Sequence, residues 1–118
     1  MTNFPITLQN YALDEWKTAA GDLSEVRSAI TGETVALTGS QGLDFEAMLA
    51  HGRDIGGPAL RAMTFHQRAV MIKALAQAII ERKEELYEIS YQTGATRTDS
   101  WIDIEGGAGT LFTTSSKG

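Results

Sequence analysis

TFHQRAVMIKALAQAIIERKEELYEISYQTG, running from Thr64 to Gly94, decides how the chain is read. It opens on Thr64, three positions before Gln67. That spacing is a capping box: the threonine hydroxyl accepts from the third backbone N–H of a helix, and the glutamine side chain reaches back to the cap's own N–H. Phe65, Ala69, Ile72, Ala76, Ile79 and Leu86 then follow helical spacing, and Leu75 and Ile89 widen the stripe. Glu81-Arg82-Lys83-Glu84-Glu85 crosses on the solvent side, and Gly94 supplies a C-terminal cap. The pattern predicts one helix over 64–93.

Beyond it, Trp101, Ile104, Ala108, Leu111 and Phe112 share a face of a second helix over 98–112. Asp99 sits near its positive end, where the helix dipole favours a carboxylate. Gly106, Gly107 and Gly109 each lower helix propensity by ~1 kcal/mol against alanine. The role expected of them is to let a neighbouring element come close.

Before Thr64, Asp44 is positioned to cap a helix carrying Phe45, Met48, Leu49 and Ile55. Gly56-Gly57-Pro58 is expected to stop it, with Pro58 opening a short turn that holds Leu60 and Met63. The first forty residues look strand-like. Ile6 to Trp16 is one stretch. Val26 and Ile30 share a strand face, as do Val35 and Leu37, with a turn at Thr31-Gly32-Glu33. Ala19-Ala20-Gly21-Asp22 separates the two stretches, which suits an antiparallel pair. Two strands alone are marginal in water, so this arm must lie against something else. The fold class expected is therefore α/β: an arm of strands over 1–42, then helices over 43–118. No second sheet follows to receive the helices' apolar faces. The chain reads as the opening of a larger fold, incomplete as a domain.

The 118 residues carry a net charge of -5 and a mean hydropathy of -0.15. That composition excludes wholesale disorder and argues against nucleic acid as a partner. No window is long and apolar enough to span a membrane, and the first residues lack a secretory pattern, so the cytoplasm is the expected compartment. Cysteine is absent, which excludes disulfides, thiolate metal sites and a thiol nucleophile.

Candidate chemistry is sparse. Gly106-Gly107-Ala108-Gly109-Thr110 invites a phosphate-loop reading, but Phe112 stands where a dinucleotide fingerprint needs its third glycine, and no lysine follows Gly109. Asp99, Asp103 and Glu105 form an acidic cluster in which Asp99 and Asp103 share a helix face and Glu105 points elsewhere. A solvated or salt-bridged face suits them better than a metal site, with Arg97 a possible partner. His66 lies in the first turn of the long helix, where a protonated imidazole would oppose the dipole. His51 has no serine or acid at triad spacing, and Ser115 and Ser116 lack an elbow motif. Phe65, Met71, Trp101 and Phe112 are core candidates before they are ligand-lining ones. No catalytic, cofactor-binding or metal residue is assigned.

Three segments carry a family resemblance. They are Ala59-Leu60-Arg61-Ala62-Met63-Thr64-Phe65-His66-Gln67-Arg68-Ala69, Gln92-Thr93-Gly94-Ala95-Thr96-Arg97-Thr98-Asp99-Ser100-Trp101, and Asp103-Ile104-Glu105-Gly106-Gly107-Ala108-Gly109-Thr110-Leu111-Phe112. Together they resemble the N-terminal part of the aldehyde dehydrogenase superfamily. Within it they are most similar to the bifunctional phenylacetate-degradation branch, which joins an oxepin-CoA hydrolase to a semialdehyde dehydrogenase. Ile30-Thr31-Gly32-Glu33 is similar to a turn after an early strand of that family. Leu13-Asp14-Glu15-Trp16 departs from it, since a glycine more often stands shortly before the tryptophan. The resemblance implies an α/β enzyme of several hundred residues that uses a cysteine nucleophile and NADP or NAD, and that forms a homo-oligomer. It implies that this chain alone is inactive, binds no cofactor, and has the remainder of its own chain as partner. The rival expectation is a stand-alone helical interaction module that docks on another protein.

Overall fold

The computed structural model describes residues 3–117. They form two compact units, Asn3–Ala59 and 60–117.

The first unit holds five short strands: β1 (Ile6–Thr7), β2 (Asn10–Ala12), β3 (Glu15–Lys17), β4 (Ser24–Arg27) and β5 (Thr34–Thr38). The stretch from Ile6 to Trp16 is thus three strands and not one. β1 pairs parallel to β5, Ile6 opposite Ala36, while β4 pairs antiparallel to it, Val26 opposite Ala36. The expected antiparallel pair is a three-stranded sheet in the order β1-β5-β4, with a separate β2-β3 hairpin.

Backbone conformation explains the difference. Leu13 and Asp14 both lie at positive φ (54° and 65°), which makes the two-residue hairpin turn whose twist matches its strands. Asparagine, aspartate and glycine suit such a turn, and Asp14 anchors it by accepting the Tyr11 hydroxyl at 2.6 Å. Tyr11 and Trp16 face each other across the hairpin, ring centroids 5.0 Å apart and edge-on. Asn10 Nδ2 donates to the Gly39 carbonyl at 2.8 Å and ties the hairpin to the end of β5.

β4 stops at Arg27 for a similar reason. Ser28 is buried, and its hydroxyl accepts from the backbone N–H groups of Ile30 (3.1 Å) and Thr31 (3.2 Å). That local turn takes Ile30, expected to share a strand face with Val26, out of the strand and leaves it 64% exposed. Gly32, at φ 76°, closes the turn.

α1 (Phe45–His51) starts where expected, its first turn held by Asp44 Oδ1 accepting from Ala47 N–H at 2.9 Å. The glycines and Pro58 do not stop it. The helix widens into a π turn over Gly52–Gly56 and resumes as α2 (Gly57–Ala62). Pro58 lacks an N–H and its ring crowds the turn before it; a wide turn there accommodates both.

In the second unit the capping box is present in full. Thr64 Oγ1 accepts from Gln67 N–H at 3.1 Å, and Gln67 Oε1 accepts from Thr64 N–H at 2.8 Å. The expected single helix is two, α3 (Phe65–Glu81) and α4 (Lys83–Tyr91), broken at Arg82 within the charged run. Arg82 pairs with Glu85 at 2.7 Å. Gly94, at φ 86°, ends α4 with its N–H on the Tyr91 carbonyl. A second capping pair, Thr96 and Asp99, starts α5 (Arg97–Lys117).

α5 packs on both α3 and α4. The buried side chains are small: Ala69 and Ala76 on α3, Ser100 and Ala108 on α5, with Tyr87 of α4 the one large member among the described residues. Phe65 (76% exposed), Leu75 and Ile89, expected in the core, face outward; so does Trp101. Gly106, Gly107 and Gly109 do not serve close packing either. A methyl group built on any of them meets nothing within 4 Å.

Two substitutions separate these roles. Gly107→Ala is expected to raise the unfolding free energy by about 1 kcal/mol, because the helix gains propensity and nothing is displaced. Ala76→Leu is expected to lower it by about 1–3 kcal/mol through overpacking. Urea denaturation followed by circular dichroism measures both, and a loss of stability in Gly107→Ala would show that the glycine face is covered.

Candidate functional site

The chemically richest cluster lies where α4 meets α5. Lys83 and Tyr87, one turn apart on α4, both reach Glu105 of α5. Lys83 Nζ donates to Glu105 Oε1 at 3.0 Å, and the Tyr87 hydroxyl donates to Glu105 Oε2. Arg97 stacks its guanidinium over the Tyr87 ring, 5.2 Å from the centroid. Tyr87, Arg97, Thr98, Trp101 and Glu105 line a cavity of about 240 Å³.

The charges explain the titration behaviour. Tyr87 and Lys83 both donate to the Glu105 carboxylate and hold it below the usual glutamate range. The same hydrogen bond, helped by burial, pushes the Tyr87 phenol up to about 12. Both shifts keep the pair in its bonded form near neutral pH. That suits a clamp between helices and not an acid-base catalyst, whose groups would need to exchange protons there.

Counting along α3 and α4 by helical steps could have found this cluster. Ala69, Ala76, Lys83 and Tyr87 continue one stripe, whereas Leu86 and Ile89 leave it. Lys83 hides the continuity because a charged residue does not register as core.

The acidic residues divide as the spacing predicts. Asp99 and Asp103 lie along one open groove of α5 with Ile102, Gly106, Gly107 and Thr110, and Glu105 turns to α4. Asp99 is engaged with Thr96, accepting from its N–H (3.0 Å) and hydroxyl (2.7 Å), which holds its carboxyl below the ordinary range. Glu105 finds Lys83 and Tyr87; Arg97 meets the ring beside it. Among the described residues no three histidine, aspartate or glutamate side chains group to hold a metal ion.

His66 lines a cavity of about 400 Å³ with Lys73, Phe112, Ser115 and Ser116. The serine hydroxyls donate to their own helix, to the carbonyls of Phe112 and Thr113, both at 2.8 Å. Among the described residues no carboxylate lines the cavity to orient a histidine. His51 lies in the last turn of α1, in the other unit.

The glycine run lies inside α5, nine residues past its start at Arg97, not at a strand-to-helix turn. Its backbone N–H groups are therefore committed to helix hydrogen bonds and offer no cradle for a pyrophosphate. The run therefore has the backbone of a mid-helix segment and not that of a dinucleotide fingerprint. Among the described residues no helix is long and apolar enough to cross a membrane.

No family model matches the chain. Its sequence is 33% identical over 100 residues to the 3,4-dehydroadipyl-CoA semialdehyde dehydrogenase of Aromatoleum evansii. The match covers 84% of this chain and 19% of that relative, so the chain spans about a fifth of the dehydrogenase's length. The similarity supports a relation to the N-terminal part of an aldehyde dehydrogenase, an oxidoreductase.

The Glu105 clamp has a pH signature at both ends. Glu105 is more acidic in the folded state, so its contribution is present above the unfolded glutamate range and is lost as pH falls through the lower folded value. Tyr87 is raised, so its contribution is present below the ordinary tyrosine value and is lost as pH rises through about 12. Urea midpoints measured against pH are expected to fall less steeply with acid in Glu105→Gln, and less steeply with alkali in Tyr87→Phe, than in the unsubstituted chain. Unchanged profiles would mean the clamp does not form.

Proposed function

We propose that the chain is the N-terminal part of an NAD(P)-dependent semialdehyde dehydrogenase that oxidises an acyl-CoA semialdehyde in aromatic-acid catabolism, phenylacetate breakdown being the branch its sequence resembles. The observation that carries this reading is the 33% identity running through 84% of the chain. The whole enzyme would work in the cytoplasm as a homo-oligomer, with neither nucleic acid nor membrane as partner.

In such an enzyme a cysteine thiolate attacks the aldehyde carbon, and the thiohemiacetal passes hydride to the dinucleotide, leaving a thioester. This chain has no cysteine and cannot supply the nucleophile. Its glycine run lies within a helix and offers no phosphate cradle. Its part is structural: α3, α4 and α5 form a helical layer clamped through Glu105. Its partner is the remainder of the polypeptide, which carries the nucleophile and the cofactor. A stand-alone interaction module is the weaker reading, because the similarity to a dehydrogenase covers most of the chain.

A chimaera tests this. The Aromatoleum evansii dehydrogenase, with its matched stretch replaced by this chain, is expected to fold and to oxidise its semialdehyde with NAD or NADP, read by reduced-nicotinamide absorbance. The 118-residue chain alone is expected to give no rate above buffer. An insoluble chimaera, or aldehyde oxidation by the chain alone, would overturn the reading.

A further inference from the structure

α1, the π turn and α2 run as one helical span over 45–62, yet no residue in it is buried. Every later helix buries at least one side chain: Ala69 and Ala76 on α3, Tyr87 on α4, Ser100 and Ala108 on α5. Phe45, Leu49 and Ile55 carry much of the span's apolar surface, and all three are exposed. Among the described residues neither a strand nor another helix packs extensively against it; α1 mainly meets the π turn that follows.

Most helical stability in proteins comes from a covered face, and isolated helices shorter than about 12–15 residues are marginal in water even when rich in alanine. α1 is seven residues long and α2 is six. The π turn between them holds Gly52 and Gly56, and Gly57 and Pro58 open α2. Each glycine lowers helix propensity. Gly52 and Gly56 do not make room for a neighbour, because a methyl group built on either meets nothing within 4 Å. Nor does Gly52 need glycine's freedom, since its angles are helical (φ -59°, ψ -41°). What they do is weaken the helix.

We infer that the span 45–62 is a joint, a segment that opens by local unfolding while the strands before it and the helices after it stay folded. Its place in the chain suits that role, since the boundary between the two compact units falls inside it, between Ala59 and Leu60. Arg82, where α3 gives way to α4, is the rival weak point. That break is bridged by the Arg82–Glu85 pair, and the helices on both sides of it pack on α5.

Hydrogen exchange of the 118-residue chain, read by mass spectrometry, tests the joint. Protection over 48–62 is expected to be at least about a hundredfold lower than over the buried turns of α3. The double variant Gly52→Ala, Gly56→Ala is expected to slow exchange in the span about tenfold and to leave α3 unchanged, because both methyl groups enter open space. Limited trypsin digestion gives a second reading, with the first cuts expected at Arg53 or Arg61, both exposed in the span. Equal protection in the span and in α3, exchange that the two alanines leave unaltered, or a first cut at Arg82 or Lys83 would each overturn the inference.

Discussion

The helical unit depends on alanine. Ala69 and Ala76 on α3 and Ala108 on α5 are its buried apolar positions, together with Tyr87. Small side chains let two helices approach closely, so the contact gains from backbone proximity what it lacks in buried side-chain volume. The other consequences follow from that choice. With alanine inside, Phe65, Val70, Met71, Leu75, Trp101 and Ile102 have no place in the interior and remain on the surface. An ordinary single domain buries most such residues; here the interior is too small to hold them.

The Glu105 clamp supplies what alanine cannot, which is specificity of register. Alanine faces slide past one another with little change in contact. A carboxylate that accepts from both Lys83 and Tyr87 fixes α5 against α4 at one position, since a shift by one turn would strand a charge beside a buried phenol. Ser100 helps from the other end of the contact. It is fully buried, its hydroxyl 2.9 Å from the Thr96 carbonyl and 2.8 Å from the Ser90 hydroxyl.

The sequence was most legible where structure is local. Asp44, the Thr64–Gln67 box and the Gly94 cap each act within a few residues, and each is where the spacing put it. Pairing between distant residues was not legible. Nothing near Ile6 says that it lies parallel to Ala36 and not along one strand with Trp16. The hairpin turn was masked because Leu13 and Asp14 take a backbone conformation more typical of glycine or asparagine. The apolar stripe was followed by hydrophobicity, which favoured Leu86, Ile89 and Trp101 over Lys83, Tyr87 and Ser100. In the fold, hydrogen bonding decided those positions. Residue types alone exclude a thiol nucleophile, because no cysteine is present, and the glycine run lacks the fingerprint.

The hairpin leaves the protein with an unplanned optical asymmetry. Its two tryptophans divide one to each compact unit, Trp16 in the first and Trp101 in the second. Trp16 has Tyr11 at its edge, close enough for the tyrosine to pass excitation to it while the hairpin is closed. Trp101 stands beside Arg97 and Glu105 in the wall of the cavity where α4 meets α5. Emission from the molecule therefore combines two reporters in different surroundings, and silencing either one leaves a signal that follows a single unit.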